Sequence, residues 1–342
     1  MKRLALVFLL FALSACTPLM VQQAGTPPAG FQGPHFESDA AVSFDGARLG
    51  LTKWEAPGEP WAVVVAAHGM NDYANAFHFA AKAWSAQGVT TYAYDQRGFG
   101  RSPGRGIWAG EDLMIEDLRT VTALARARHP NAIITVVGES MGGSVAAASF
   151  ATDRPPPADR LVLLSPGVWG FKAQPLPNKT LLWLAANFTA GKVYTPPRWV
   201  TDKIYPTDNR DELIAMGRDR LMIWGARSDT LYGLVRLMDR AAKDVGEDSL
   251  PTFYLYGAND QIIPKNAAFK AVKRLRPSDR SAYYAAGHHL LTRDRQRAVV
   301  IADVLTFIRD PEAPLPSGAP PIPGAGAKNA DPADASRRAA GL

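Results

Sequence analysis

Ser140, Asp260 and the pair His288-His289 are the residues whose types and order could do chemistry. A neutral serine hydroxyl is a poor nucleophile; it needs a base within hydrogen-bond reach and a third group to orient that base. Ser140 stands in Gly138-Glu139-Ser140-Met141-Gly142, a Gly-x-Ser-x-Gly sequence. Before it run Ile133-Ile134-Thr135-Val136-Val137, and after it Ser144-Val145-Ala146-Ala147-Ala148. That is the grammar of buried strand, tight turn and helix, which holds the serine at the turn apex with a helix N-terminus beneath it. Of the six histidines, His35, His68, His78 and His129 stand early, in a tether, a loop start and two helices. Only His288 and His289 follow the last predicted strand, where a Ser, Asp, His order puts the base. Asp260 lies between, just past a predicted strand, in a turn closed by Pro264.

These residues need a frame. Val42-Ser43-Phe44, Asp45-Gly46 and Leu49 to Trp54 predict a hairpin with a tight turn. Strands are predicted at 61–67, 89–94, 133–137, 161–164, 252–256 and 281–285. Amphipathic helices are predicted between them, one with Phe77, Ala80, Ala81 and Trp84 on its inner face and one with Leu113, Leu118, Val121, Leu124 and Ala125. Strands alternating with helices imply right-handed crossovers and a mainly parallel sheet covered on both faces. The alternation breaks at 168–245, which holds Trp169, Trp183, Trp199 and Trp224, half of the eight tryptophans. Its helical patterns, Leu181 to Phe188, Asp211 to Met216 and Leu231 to Ala242, predict a helical cap over the carboxyl ends of the strands. Its aromatics are expected to form mostly the cap's own core.

Five segments together resemble the serine-hydrolase branch of the α/β-hydrolase superfamily, in particular its monoacylglycerol lipase and lysophospholipase group. They are HGM at 68–70, YDQRGFGRS at 94–102, GESMGG at 138–143, YGANDQIIP at 256–264 and GHHLLTRD at 287–294, in family order over residues 40 to 309. The resemblance implies an α/β-hydrolase fold with Ser140 as nucleophile, Asp260 as acid and His289 as base. His289 takes that place because two apolar residues, a variable one, a basic one and an acidic one follow it. It also implies an oxyanion hole made by the backbone N–H groups of Met70 and Met141, the second of which opens a helix and lacks an intrahelical partner. His68 is then expected to stabilise its turn. The activity implied is hydrolysis of acyl esters such as monoacylglycerol or lysophospholipid. A serine aminopeptidase on the same frame and a catalytically silent binding protein are the alternatives; an aspartate at the nucleophile position, as in related epoxide hydrolases, is absent.

Composition narrows the rest. The net charge of +6 includes Lys2 and Arg3, and no dense basic run with interleaved aromatics exists, so nucleic acid is not an expected partner. A single cysteine excludes an intrachain disulfide and a multi-cysteine metal site. No metal cluster is legible, and Gly98-x-Gly100 lacks the context of a dinucleotide fingerprint, so no cofactor is expected. Asp229 could line the cap or cap a helix, and Arg97 and Arg101 are expected to pair within their own loop.

The cysteine, Cys16, follows a basic start, an apolar run from Leu4 to Leu13 too short to span a bilayer, and Ser14-Ala15. This resembles the lipobox of bacterial lipoproteins. It implies a leader over 1–15, acylation of Cys16, a membrane as partner and, with Thr17 rather than Asp next, the outer membrane of a bacterial envelope. Residues 16–35 read as a flexible tether and 310–342, with seven prolines, as a disordered tail. The expected domains are thus a hydrolase core over 36–167 and 246–309, about 275 residues less the cap, and a cap over 168–245.

Overall fold

A computed structural model describes residues 19–326; the leader and Cys16 lie outside the described residues. Strand β1 (His35–Phe36), β2 (Ala40–Val42) and β3 (Arg48–Trp54) form an antiparallel edge. β4 (Ala62–Ala67) follows, then helix α1 (His78–Ser85), β5 (Val89–Tyr94), α2 (Glu111–Arg128), β6 (Ile133–Glu139), α3 (Met141–Phe150) and β7 (Arg160–Leu164). Next come α4 (Leu176–Phe188), β8 (Val193–Tyr194), α5 (Arg198–Thr201), α6 (Arg210–Arg218), β9 (Ala226–Arg227) and α7 (Ser228–Asp244). β10 (Thr252–Gly257), α8 (Lys265–Val272), β11 (Arg280–Tyr284) and α9 (Arg297–Arg309) complete the order.

The main sheet has nine strands in the order β1-β2-β3-β5-β4-β6-β7-β10-β11. From β5 to β11 every pairing is parallel. β4 sits in the middle with all six residues buried, because helices cover both faces of the sheet and leave no room for alternation. Each such valine contributes about 1.5–3 kcal/mol on burial. One core cluster joins Val65, Val136 and Leu163 to α2, α3 and α7; the other joins Val64, Val137 and Leu255 to α1 and α9. α1 ends as Gly88 turns the chain at φ 83°, and α2 carries Glu111 and Asp112 at its start and Arg126 and Arg128 at its end, the polarity its dipole favours. Among the described helices none is long and apolar enough to cross a membrane.

The structure corrects four expectations. Residues 19–35 are not a free tether: Val21 bridges to Trp108, the Gln22 N–H donates to the Trp108 carbonyl at 2.9 Å and Gly25 N–H donates to Asp45 at 2.7 Å. The supposed disordered tail lies against the edge strand β11 through residue 326. There the Tyr283 N–H donates to the Pro320 carbonyl, the Ile322 N–H donates to Ser281 Oγ, and Leu315 and Ile322 are buried. Neither segment could fold alone, but a prebuilt surface and an unpaired strand edge supply the partners their composition lacks. Helix α7, grouped with the cap by its sequence, buries Val235, Leu237, Met238 and Ala241 in the core beside α3. Finally, three of the four tryptophans of 168–245 do not form a cap core: Trp183, Trp199 and Trp224 are each at least half exposed, and Trp169 packs against the main core.

Candidate active site

Ser140 stands between the end of β6 and the first residue of α3, with φ at +53° and ψ at −115°. This left-handed backbone is costly for a serine and persists only where the surroundings fix it. Here they do: the Ser140 N–H donates to the Leu164 carbonyl at 3.0 Å, and its carbonyl accepts from the Gly167 N–H at 2.9 Å. The glycines are required by space. A Cβ on Gly142 would stand 2.0 Å from the Ala67 carbonyl oxygen, and one on Gly138 would stand 2.5 Å from the Gly142 oxygen. The other two non-glycine residues with positive φ among the described residues, Asn71 and Ser165, lie just past the ends of β4 and β7. Backbone strain is therefore gathered at the carboxyl ends of neighbouring strands.

The loop after β4 passes over the serine; a Cβ on Gly69 would lie 3.3 Å from Ser140 Cβ. Among the described residues the N–H groups of Met70 and Met141 have no hydrogen-bond partner. Met141 is the first residue of α3, so its N–H also carries the positive end of the helix dipole. His68 is fully buried, and burial lowers its basicity. Its Nδ1 donates to the Gly69 carbonyl at 2.7 Å, and its Nε2 accepts from the Gln96 N–H at 2.9 Å. The imidazole thus braces the loop rather than reaching the serine, and Gln96 Nε2 completes the brace on the His68 carbonyl.

The imidazole that faces Asp260 belongs to His289, whose Nδ1 lies 2.8 Å from Asp260 Oδ2. The other carboxylate oxygen accepts the N–H groups of Ile262 and Ile263 at 2.8 and 2.9 Å, which fixes the acid's orientation. Burial disfavours the imidazolium of His289. The charge and hydrogen bond of Asp260, and then Glu139, outweigh it, so the ring is more basic than ordinary histidine. His288 points elsewhere, with Nδ1 3.5 Å from Asp294. Asp208, His288 and Asp294 offer ligand atoms within 4.8 Å of one another, but Asp294 already accepts the His288 N–H at 2.7 Å. They form a loop lock.

Sequence reasoning missed the ion cluster between these parts. Arg293 donates to Glu139 at 2.6 Å and pairs with Asp72 at 2.7 Å, all three being buried. The one available signal was an acidic residue, Glu139, directly before the serine at the end of an otherwise apolar strand. Asp229, weighed as a cap-lining group, is bound to Arg227 at 2.6 Å and to the Met20 N–H. Arg101 pairs with Asp95 of its own loop, whereas Arg97 reaches out of it to Asp45 and Asp117. A cavity of about 850 Å³ lies between Asp260, Gln261 and His288 on one side and Tyr205, Arg210 and Leu213 on the other. It adjoins the acid and not Ser140.

One end of the sheet thus carries an imidazole bound to a carboxylate, a strained serine and two backbone N–H groups without partners, the parts that acyl transfer requires. Residues 58–296 match the family described as serine aminopeptidase, S33 (Hydrolase_4). The monoacylglycerol lipase of Mycolicibacterium smegmatis is 27% identical over 277 residues, covering 77% of this chain and 93% of that protein. A soluble variant of monoglyceride lipase from Saccharomyces cerevisiae superimposes with a TM-score of 0.66 at 17% identity, over 84% of this chain and 98% of that one. A thermostable carboxyl esterase from Bacillus coagulans gives 0.63 at 19% identity, over 78% and 96%.

Proposed function

The chain belongs to the Hydrolase_4 family, serine aminopeptidase S33, of the α/β-hydrolase fold, and on that premise we propose that it hydrolyses carboxylic acyl esters through an acyl-enzyme on Ser140. The observation that carries this reading is the His289–Asp260 contact of 2.8 Å, set in a loop that Arg293 ties to the residue before Ser140. His289 takes the Ser140 proton as Oγ attacks the ester carbonyl. Asp260 holds the tautomer and stabilises the imidazolium, and the Met70 and Met141 N–H groups receive the oxyanion. The imidazolium then protonates the departing alcohol. Water, deprotonated by His289, attacks the acyl-enzyme and releases the acid with Ser140 restored.

Monoacylglycerol or a lysophospholipid is the substrate class, supported by the lipase among its relatives and by the exposed apolar side chains of the cap, Leu176, Leu181, Trp183 and Phe188 among them. The family's peptidase description raises the second reading. An aminopeptidase needs a free carboxylate for the substrate amine, and Asp72, Glu139 and Asp229 are each paired with an arginine. Acylation of Cys16 and an outer-membrane location complete the proposal, supported by the leader sequence and lipobox.

The test is labelling by a serine-directed fluorophosphonate, followed by turnover of p-nitrophenyl esters of graded length, monoacylglycerol, lysophospholipid and aminoacyl arylamides. Ser140 should take the label and esters should turn over. A folded protein that takes no label would be a binding protein, and preferred cleavage of arylamides would make it a peptidase. Loss of membrane association in Cys16→Ser tests the anchor.

A further inference from the structure

We propose that Arg293 is a positioning residue: its one guanidinium holds the serine turn, the oxyanion loop and the histidine loop in register and balances the charge that His289 faces. The proposal rests on the reading of His289 as base. Nη2 donates to Glu139 Oε1 at 2.6 Å, and Nη1 lies 2.7 Å from Asp72 Oδ2. Glu139 immediately precedes Ser140, Asp72 stands two residues after Met70, and Arg293 stands four after His289. Nη1 also approaches Met216 Sδ of α6 at 3.8 Å, which brings the cap into the same contact. Ser140, Met141, Met70 and His289 thus each lie within four residues of Glu139, Asp72 or Arg293 itself, and Asp260 joins them through its bond to His289. A guanidinium suits this place because its rigid plane binds two acceptors at once, which an ammonium cannot do with the same orientation.

The side chains of Arg293, Glu139 and Asp72 are no more than 7% exposed, so the charges have little water to lean on. Glu139 Oε2 and Arg293 Nε have no hydrogen-bond partner among the described residues. The two ion pairs are thus the charged contacts that hold the cluster, with the Tyr73 N–H on Asp72 Oδ1 beside them, and removal of the cation leaves two buried carboxylates without their counter-charge. Burial works against the charged guanidinium, but Asp72 and Glu139 overcome it and keep it charged. Asp260 and Glu139 both favour the imidazolium of His289, and Arg293 opposes it. Around this centre stand Glu212 of α6, 3.7 Å from His78, and the His288–Asp294 pair on the far side of the histidine loop. Arg293 is the positive group that faces His289 from within this ring.

The experiment measures kcat and KM for a short p-nitrophenyl ester across the acid limb of the pH profile, in R293M, R293K and E139Q, with circular dichroism as the check on folding. R293M should lower kcat roughly a hundredfold with a smaller change in KM, the size of effect expected when catalytic groups are displaced by about 1 Å. Its acid limb should move to higher pH, because the base loses an opposing cation. E139Q should move the limb to lower pH, and R293K should keep the limb near its wild-type place and recover part of kcat. A packing role alone would lower stability and leave both limbs in place, and unmoved limbs in folded variants overturn the proposal. If R293M does not fold, E139Q decides: a downward shift supports the proposal and an unmoved limb defeats it. Fluorophosphonate labelling of the wild type separates the two layers. An unlabelled wild type defeats the esterase reading, whereas a labelled wild type with unmoved limbs defeats only the role of Arg293.

Discussion

At the scale of single residues, the reaction hangs on a few atoms whose loss has different signatures. Ser140→Ala should remove roughly 10⁶ in kcat on an activated ester, because the acyl acceptor itself is gone. Asp260→Asn should cost roughly 10⁴, since the amide cannot hold the His289 tautomer, with the fold intact by circular dichroism. Met70→Ala and Met141→Ala should change kcat by less than about tenfold, because the expected donors are backbone N–H groups that any side chain leaves in place. Gly142→Ala should abolish turnover, because its Cβ would overlap the Ala67 carbonyl and the serine turn could not close; a single activity assay across these three variants tests the contrast. The pH profile carries the electrostatics. His289 must be neutral to act as base and its basicity is raised by Asp260 and Glu139 against the effect of burial. Activity should therefore rise with pH through an apparent pKa above the ordinary histidine value of about 6.5. Titration of kcat/KM measures it.

At the scale of elements, loops and segments outside the helices carry more than their sequences announced. The edge strand β11 is covered by 310–326, with Arg280 bonding the carbonyls of Pro311 and Ala313 and Asp303 accepting the Ser317 N–H at 3.0 Å. Removal of everything after Arg309 should expose that edge and the buried Leu315 and Ile322 contacts. The expected result is a melting temperature lower by several degrees and aggregation on heating, read by differential scanning fluorimetry and light scattering. The cap is latched to the core by Arg105, which donates to the carbonyls of Leu221, Arg220 and Met222 at 2.9, 2.9 and 3.0 Å. The Ile223 N–H then bonds the Asn71 carbonyl in the loop after β4. Arg105→Ala should speed amide exchange at 221–223 and raise KM more than it lowers kcat, with the larger effect on long acyl esters that the cap must enclose. Equal effects on short and long chains would place the latch outside substrate binding.

For the whole molecule, strand order brings distant parts of the chain to one end of the sheet, where Ser140, Asp260 and His289 follow β6, β10 and β11. The strand and helix alternation, the serine turn and the order of Ser140, Asp260 and His289 after successive strands were legible in the sequence, because each is written in short-range terms. A buried parallel strand needs a run of apolar residues, a tight turn needs small ones, and a helix start needs an open N–H. The same local logic misled at the cap and at both ends. The aromatics of 168–245 suggested a core of their own, yet Trp183, Trp199 and Trp224 face outward, and α7 spends its apolar side on the core. Low apolar content made 16–35 and 310–342 read as loose, yet their described parts lie on surfaces that other segments build. Ion pairing was least legible of all: Glu139 and Arg293 are 154 residues apart and meet only in the folded chain. Composition and periodicity decide what a segment becomes, since they act over a few residues. Which charge meets which, and which surface receives a segment that cannot bury itself, is decided only by distances in the folded chain. The sequence by itself therefore determined the serine turn and the order of Ser140, Asp260 and His289 along the chain, and the tertiary structure decided that Arg293 meets Glu139 and Asp72 beside that turn.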